Sequence, residues 1–313
     1  MSDKLITVFG GGGFVGRYIV QALLKSGARV RIAERNPKRA WFLKAQANLG
    51  HIQFVAADVT RPETVARAVA GSNIVINLVG ILKGAFDAVH IAGASNVAQA
   101  AAVAGVDTLI QMSAIGADPQ SQSAYGRSKG LGEAAVRAAF PLTTVLRPSI
   151  IFGREDQFIN RFAALIRMLP IVPVMGGATR FQPVFVGDVA RAVATIVADP
   201  VAHAGKTYDL GGPQILSMAA LNRWIADATG QSRTFLPIPD AIAGGIAMLT
   251  GWLPGAPITR DQWLMLQSDN VVAAGMDGLK ILGISPTPMN GVAAIWLDQY
   301  KKHGRFGAQE KAS

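Results

Sequence analysis

The chain contains no cysteine among its 313 residues. Disulfide bonds, thiolate nucleophiles and cysteine metal sites are therefore excluded. Histidine is scarce, and no two of the four histidines have the spacing of metal ligands on one helix. We expect no metal site, and we interpret the histidines as surface or packing residues. They lie at positions His51, His90, His203 and His303.

The chain also lacks a long apolar run. The longest one, residues 241–253, is shorter than the roughly 18–20 residues that a membrane-spanning helix needs. We therefore predict a cytoplasmic protein that is at most peripheral, at the inner face of the membrane.

Acidic residues are fewer than basic ones. The chain has 20 Asp and Glu and 30 Lys and Arg, which gives a net charge of +10. This excess favours anionic partners such as a phosphorylated cofactor, an acidic protein or an anionic membrane surface. Nucleic acid is not expected, because the basic residues are not interleaved with aromatic ones and no DNA-binding motif occurs. The basic residues cluster in two places, at Lys25, Arg29, Arg31, Arg35, Lys38, Arg39 and Lys44, and at Lys301, Lys302, Arg305 and Lys311.

A glycine-rich turn follows the first apolar run. Residues 5–8 predict a buried strand, and the apolar spacing of residues 17–24 predicts a helix packed on it. The glycines between them fit both a G-x-x-G-x-x-G and a G-x-G-x-x-G spacing. Glycine lets backbone N–H groups approach a pyrophosphate, and the helix end adds a partial positive charge. We predict dinucleotide contacts from Gly10, Gly12, Gly13, Phe14, Val15 and Gly16.

The end of the second predicted strand bears on the choice of cofactor. In dinucleotide-binding folds this position meets the adenosine ribose, where an acid selects a free 2′-hydroxyl and an Arg accommodates a 2′-phosphate. Glu34 is followed by Arg35, Lys38 and Arg39. The three cations favour NADP(H), while Glu34 leaves NAD(H) open.

The ends of three later strands supply further predicted cofactor contacts. Asp58 accepts from the adenine amino group in one interpretation and from turn amides in the other. The fourth strand ends in glycine, which permits a close backbone approach to the cofactor. The fifth strand ends where open α/β sheets bind their ligands. The contacts predicted here are Asp58, Val59, Leu78, Val79, Gly80 and Met112.

A Tyr-x-x-x-Lys pair follows the fifth strand. Tyr125 and Lys129 are four residues apart, so on a helix they share one face. We expect the lysine to lower the cost of forming phenolate and to bond the nicotinamide ribose, while Tyr125 exchanges a proton with substrate. Ser113 would hold the substrate oxygen. The predicted chemistry is hydride transfer at a carbon that bears oxygen.

Strands and helices alternate through most of the chain. This order predicts the α/β class, with a Rossmann-type doubly wound parallel sheet. We assign residues 1–213 to this nucleotide-binding domain, with some crossover of its C-terminal part into the lobe, and residues 214–313 to a smaller, α-rich lobe for substrate or partner.

The glycine motif and the triad of Ser113, Tyr125 and Lys129 resemble those of the extended or atypical short-chain dehydrogenases/reductases. The resemblance implies a fourth active-site position on the long helix after the fourth strand, for which Asn96 is the candidate. It also implies backbone contacts to the nicotinamide carboxamide just past the sixth strand, at Pro148, Ser149 and Ile150.

Two phrases in the last third, residues 258–262 and 267–272, are similar to the nucleotide-binding accessory subunits of respiratory complex I and their bacterial homologues. That resemblance implies bound NADPH, peripheral attachment to complex I or a membrane surface, and a link to quinone metabolism. Three functions stay open: an NADP(H)-dependent reductase, dehydrogenase or epimerase; a non-catalytic subunit that holds the cofactor; and a nucleotide-sensing regulator.

Overall fold

The computed structural model describes residues 4–250 and 258–301, and in Thr250 the backbone alone. Part of the apolar segment, Trp252 and Leu253, and the basic residues Lys302, Arg305 and Lys311 lie outside the described residues. No helix formed by the described residues is both long enough and apolar enough to cross a bilayer.

The chain forms two compact units that alternate along the sequence. The first comprises the described residues up to Pro148 together with Val186–Leu210 and Ala273–Ser285; the second comprises Ser149–Phe185 and the described parts of 211–272 and 286–313. The chain thus enters the second unit well before residue 213, the boundary predicted from the sequence. That boundary marks where recognisable motifs end, and motifs do not report where a chain passes from one core to another.

The first unit contains a seven-stranded sheet in the order β11-β6-β5-β4-β1-β2-β3, and every pairing in it is parallel. This confirms the predicted doubly wound α/β fold. Parallel strands buried on both faces read as continuous apolar runs, which is why the sequence predicted them well. The strands are β1 (Leu5–Phe9), β2 (Arg29–Glu34), β3 (Ile52–Ala56), β4 (Ile74–Asn77), β5 (Thr108–Met112), β6 (Thr144–Pro148) and β11 (Thr207–Leu210).

Helices cover both faces of this sheet. On one face, side chains from the strands pack with those of α2, α3 and α4 in a single apolar cluster that includes Phe9, Val75 and Leu109. On the other face, α1 packs against α6. The helices of the unit are α1 (Phe14–Lys25), α2 (Pro62–Val69), α3 (Ala94–Val103), α4 (Ala124–Ala139), α6 (Val186–Ala198), α7 (Pro200–His203) and α11 (Gly278–Ile281).

Three local features of the first unit differ from the sequence-based prediction. Strand β4 ends at Asn77 rather than at Gly80, because the Asn77 side chain accepts the N–H of Val79 at 3.1 Å and turns the backbone out of the ladder. The helix that the sequence predicts after β2, to about residue 49, is a 3₁₀ helix that ends earlier, Pro37–Gln46. The long helix predicted after β4 begins as a π-helical segment, Asp87–Gly93, which continues into α3.

The second unit is built from short strand pairs and helices around its own core, in which Phe152, Ile225 and Leu297 are buried. Residues 258–262, one of the two segments similar to complex I accessory subunits, contain the start of helix α10 (Arg260–Met265). Thr259 and Gln262 form a capping box there. The strands are β7 (Ile151–Phe152), β8 (Ile171–Val174), β9 (Arg180–Phe181), β10 (Val184–Phe185), β12 (Leu216–Ser217) and β13 (Thr234–Pro237). The helices are α5 (Ile159–Met168), α8 (Met218–Ala228), α9 (Asp240–Thr250), α10 (Arg260–Met265), α12 (Met289–Val292), α13 (Ala294–Leu297) and a 3₁₀ turn (Asp298–Tyr300).

Candidate functional site

The glycine turn joins β1 directly to α1. Gly10 has a φ of +79°, a conformation that side chains disfavour. A Cβ on Gly16 would lie 2.7 Å from the Cα of Gly11 and closer still to the carbonyl oxygen of Gly10, so the turn closes only without one. Helix α1 begins after Gly13, and no described side chain caps it. The uncapped N–H groups of its first turn, at Phe14, Val15 and Gly16, fit a pyrophosphate.

Gly12 has a different partner from the one expected. Its N–H donates to Glu34 Oε1 at 2.7 Å. A Cβ on Gly12 would also lie 2.7 Å from Cβ of Ala40, so the 3₁₀ helix packs closely on the turn. Glu34, at the end of β2, therefore braces the glycine turn from the ribose side.

The three cations predicted to bind a 2′-phosphate are exposed, and their neighbours differ. Arg35 lies near Asp58, whose carboxyl pKa is lowered mainly by the hydrogen bond from the Thr60 backbone and further by the charge of Arg35. The ammonium of Lys38 lies 5.9 Å from the ring centre of Trp41. The structure thus brings Arg35 near Asp58 and Lys38 near Trp41, and a contact of the three cations with a 2′-phosphate stays a prediction.

Asp58 adopts the turn geometry that the second interpretation expects. Its Oδ1 accepts the backbone N–H of Thr60 at 2.9 Å and the Thr60 hydroxyl at 2.8 Å. The carbonyl of the next residue, Val59, accepts the side-chain amide of Asn96 at 2.9 Å. Asn96 is therefore engaged with the loop after β3.

The segment after β4 connects the glycine turn to α4. Leu78 donates its N–H to the carbonyl of Phe9 at 3.0 Å, and a Cβ on Gly10 would lie 3.5 Å from the nitrogen of Val79. Gly80 follows Val79, and a Cβ on Gly80 would lie 3.2 Å from Lys129 Nζ. Residues 78–80 are thus brought against both the predicted phosphate site and the predicted catalytic lysine.

Tyr125 and Lys129 lie one turn apart on α4, near its N-terminus. The ammonium of Lys129 is 5.9 Å from the centre of the Tyr125 ring and 3.4 Å from the carbonyl oxygen of Met112, at the end of β5. Burial lowers the pKa of Lys129 to about 8, against an opposing effect of Glu133. Burial also raises the pKa of Tyr125 to about 12. Burial of the ring thus favours the protonated phenol of Tyr125, and the expectation that Lys129 eases phenolate formation during the reaction stays a prediction.

Ser113 directly follows Met112 at the carboxyl end of the sheet. Its backbone N–H donates to the carbonyl of Leu146 at 2.7 Å, which fixes its position. Its hydroxyl is buried and has no hydrogen-bond partner among the described residues. A buried, unpaired hydroxyl costs free energy, so such groups in native structures call for a functional explanation. Lys129 contacts the carbonyl of the preceding residue, Met112, and a free hydroxyl at this end of the sheet fits a substrate oxygen.

The sequence analysis missed two groups around the Tyr–Lys pair. Arg147 on β6 forms a two-pronged ion pair with the buried Glu133, at 2.9 Å and 2.5 Å. His90, predicted as a packing residue, contacts the Tyr125 ring edge-on at 5.6 Å between ring centres. For Glu133, its place four residues after Lys129 was a usable signal. For His90 no signal was available, because the π-helical segment changes which residues face α4.

The predicted nicotinamide contacts lie where the chain passes from one unit to the next. In the first unit, the carbonyl of Pro148 accepts the N–H of Ile115 at 3.0 Å. In the second unit, the Ser149 hydroxyl lies 2.7 Å from Asn270 Oδ1, and the Ile150 carbonyl accepts the N–H of Val184 at 2.9 Å. Their contact with the cofactor stays a prediction.

Comparison with known proteins places this arrangement in a family. The family model described as the 3-beta hydroxysteroid dehydrogenase/isomerase family matches residues 7–203. The chain is 36% identical over 298 residues to the mitochondrial NADH dehydrogenase [ubiquinone] 1 alpha subcomplex subunit 9 of Mus musculus. The alignment covers 92% of this chain and 78% of that protein.

Two solved structures share the fold at low identity. One is the NADPH-dependent quinone oxidoreductase QOR2 of Escherichia coli complexed with NADPH, with a TM-score of 0.76, 21% identity and coverage of 93% and 99% of the two chains. The other is the Citrobacter sp. triphenylmethane reductase complexed with NADP(H), with a TM-score of 0.75, 22% identity and coverage of 94% and 99%. The chain belongs to the 3-beta hydroxysteroid dehydrogenase/isomerase family, within the extended short-chain dehydrogenases/reductases, and its cofactor class is nicotinamide dinucleotide.

Proposed function

We propose that the chain is an NADPH-dependent oxidoreductase that acts on a carbonyl or quinone oxygen. The observation that carries this proposal is the buried Ser113 hydroxyl, which lacks a partner among the described residues and follows the carbonyl that Lys129 contacts. A buried hydroxyl without a partner and a buried ammonium each cost folding free energy, and a scaffold without chemistry gains nothing from having both at the end of one strand.

The residues that would hold the cofactor lie in segments that follow the strands of the central sheet. The first turn of α1 takes the pyrophosphate, residues 78–80 pass beneath it, and Lys129 bonds the nicotinamide ribose. Asp58 and Val59 lie at the adenine, and Arg35, Lys38 and Arg39 favour a 2′-phosphate, which supports NADPH over NADH. Pro148, Ser149 and Ile150 are assigned to the carboxamide. When bound, NADPH supplies a hydride.

Side chains of the protein position the substrate oxygen and transfer the proton to it. Ser113 donates a hydrogen bond to the substrate oxygen and holds it near Tyr125. The Tyr125 hydroxyl, protonated at neutral pH, gives its proton to that oxygen as negative charge develops on it. The ammonium of Lys129 stabilises the phenolate left behind, in a site with little water to screen the attraction. In the reverse direction, the phenolate accepts the proton.

Nucleotide titration followed by turnover measurements tests the proposal. NADPH should raise the melting temperature more than NADH at equal concentration. NADPH oxidation would then be followed with a short-chain ubiquinone and with 3-oxoacyl compounds. Tyr125→Phe should lower kcat by about 10²- to 10⁴-fold while leaving NADPH affinity nearly unchanged, because a general acid contributes to chemistry rather than to binding. A Tyr125→Phe variant as active as the wild type would refute the assignment.

A second candidate function is a docking subunit that holds NADPH without turnover. The similarity to a complex I subunit over 92% of the chain favours it. So does α9, where Ile242, Met248 and Leu249 are exposed on a helix without charge after Asp240. Such a helix suits attachment to a respiratory complex or to a membrane surface.

Affinity purification from the native host tests this second function. Co-purification of respiratory-chain proteins that is lost in Ile242→Ser/Met248→Ser, together with tight NADPH binding and no turnover, favours the docking subunit. A nucleotide-dependent change in partner affinity would instead favour the regulator.

A further inference from the structure

His90 is a buried titratable residue that the proposed reaction does not use. It is 3% exposed and belongs to the π-helical segment Asp87–Gly93. A Cβ on Gly132 would collide with the carbonyl oxygen of His90, so this segment and α4 are in direct backbone contact. His90 is thus held against the helix that carries Tyr125 and Lys129.

The hydrogen bonds of His90 define its tautomer. The backbone N–H of Ile81 donates to Nε2 at 3.0 Å, so Nε2 carries no proton. In the neutral ring the proton then lies on Nδ1, which is 2.9 Å from the hydroxyl of Ser128. That hydroxyl donates in turn to the carbonyl of Tyr125 at 2.9 Å. The chain of bonds runs without a break from the loop after β4, through the imidazole, to the backbone of Tyr125.

The imidazole ring also confines the Tyr125 ring. His90 stacks on Phe86 at 5.5 Å with 22° between the rings, and it meets Tyr125 edge-on at 5.6 Å and 87°. Phe86 meets Tyr125 edge-on as well, at 6.0 Å. Two rings therefore limit the positions open to the phenol, and His90 fixes one of them to the main chain.

His90 Nε2 lies on the same side as the cofactor-facing backbone. A Cβ on Gly80 would be 3.7 Å from Nε2 and 3.2 Å from Lys129 Nζ. The charged group that faces the imidazole is Lys129, on α4, with Glu133 one turn further along. A neutral imidazole with a fixed tautomer can hydrogen-bond Ile81 and Ser128 without placing a second buried cation next to Lys129.

We propose that His90 is a positioning residue that locks the Gly80–Ile81 backbone and the Tyr125 ring into one geometry relative to Lys129. The proposal rests on the proposed function, because that geometry matters only if Tyr125 transfers a proton. Displacements of about 1 Å in such a constellation cost about 10²-fold in rate.

Four variants separate the contributions. His90→Asn places an amide near the former Nδ1 and keeps the bond to Ser128, whereas His90→Gln reaches the former Nε2 and keeps the bond to Ile81. His90→Phe removes both bonds but keeps a ring, and Ser128→Ala interrupts the relay beyond the imidazole. His203→Phe is a matched control, since His203 also bonds a tyrosine, Tyr208, at 2.7 Å, with ring centres 5.7 Å apart.

Steady-state kinetics with NADPH and a short-chain ubiquinone gives the first readout. We expect His90→Phe to lower kcat by about 10- to 100-fold and to weaken NADPH binding by a smaller factor, because the backbone that His90 holds also belongs to the proposed cofactor site. His90→Asn and His90→Gln should each restore part of the loss, and His203→Phe should not change kcat. If His90→Phe keeps the wild-type kcat, or if kcat falls by no more than NADPH affinity does, the proposal is wrong.

NMR gives a second readout that needs no turnover. Nitrogen shifts should show a single Nδ1–H tautomer for His90, and 3-fluorotyrosine labelling should show the Tyr125 resonance moving in His90→Phe and Ser128→Ala. An imidazole with mixed tautomers, or a Tyr125 resonance that is the same in all variants, overturns the proposal. If wild-type protein shows no turnover but passes the NMR test, the proposed reaction fails while the positioning of Tyr125 by His90 stands.

Discussion

Substitution of Gly16 by alanine tests the glycine turn directly. The new Cβ would lie 2.7 Å from the C and Cα atoms of Gly11. Carbon atoms pack favourably at about 3.5 Å or more, so the turn and the start of α1 must separate by about 1 Å. Overpacking of this kind costs about 1–3 kcal/mol of folding stability.

The larger effect is expected on cofactor binding. A shift of about 1 Å takes the first-turn N–H groups beyond the roughly 2.7–3.2 Å reach of a hydrogen bond to phosphate. Hydrogen bonds to a charged group contribute about 1.5–3 kcal/mol each, so the loss of two amounts to about 3–6 kcal/mol. NADPH affinity should therefore fall by about 10²- to 10⁴-fold.

Fluorescence titration with NADPH and thermal melting by circular dichroism measure the two effects separately. Gly13→Ala is a milder variant, because its Cβ would meet only the carbonyl oxygen of Gly10, at 3.2 Å. Gly245→Ala, in α9, is the matched control: its Cβ would meet nothing within 4 Å, so it should raise stability by up to about 1 kcal/mol and leave binding unchanged. A folded Gly16→Ala protein that binds NADPH like the wild type would show that the pyrophosphate lies elsewhere.

Three further predictions concern ionisation and packing in the first unit. Lys129→Met should abolish turnover but raise the melting temperature at pH 7, because burial of the ammonium lowers its pKa to about 8. Between pH 8 and the ordinary pKa of 10.5 the unfolded wild-type chain binds more protons than the folded one, so wild-type stability should rise with pH there. That rise should be missing in the variant. His90, with a pKa lowered to about 3 by burial, should make the protein lose stability as pH falls from 6.5 towards 3, and denaturant titrations of His90→Gln should show a shallower loss. Leu109→Ala, at a fully buried position, should lower the free energy of unfolding by about 2–5 kcal/mol, seen as a lower denaturant midpoint with an unchanged m-value.

The sequence predicted those parts of the molecule that depend on neighbours in the chain. Strand β1 includes the predicted residues 5–8, and the glycine turn lies between it and α1 as expected. Each of these features is encoded by a short stretch: an apolar run, a turn that tolerates no Cβ, an uncapped helix start. The pair of Tyr125 and Lys129 was found for the same reason, because one helical turn brings them together.

The features that the sequence did not predict depend on contacts between distant segments. Glu34 binds the N–H of Gly12, which was assigned to the cofactor. Asn96, the candidate for a fourth active-site position, bonds the carbonyl of Val59. The π-helical segment adds a residue to one turn, which rotates the following side chains relative to an α-helix and brings His90 to α4. No periodicity in a single sequence reveals such an insertion.

Three costly features of the first unit lie around the Tyr125–Lys129 pair. Lys129 is a buried cation, the Ser113 hydroxyl is buried without a partner among the described residues, and the π-helical segment departs from regular helix geometry. Each of these lowers stability, and natural sequences retain such departures mainly where function requires them. Away from this pair, the sheet and its apolar cluster follow ordinary packing rules. If NADPH served only to hold the fold together, Tyr125 would have no proton to transfer, and Tyr125→Phe would leave NADPH binding and stability unchanged with no turnover to lose. The outcome of that one substitution therefore separates a reductase from a cofactor-holding subunit more sharply than similarity to either can.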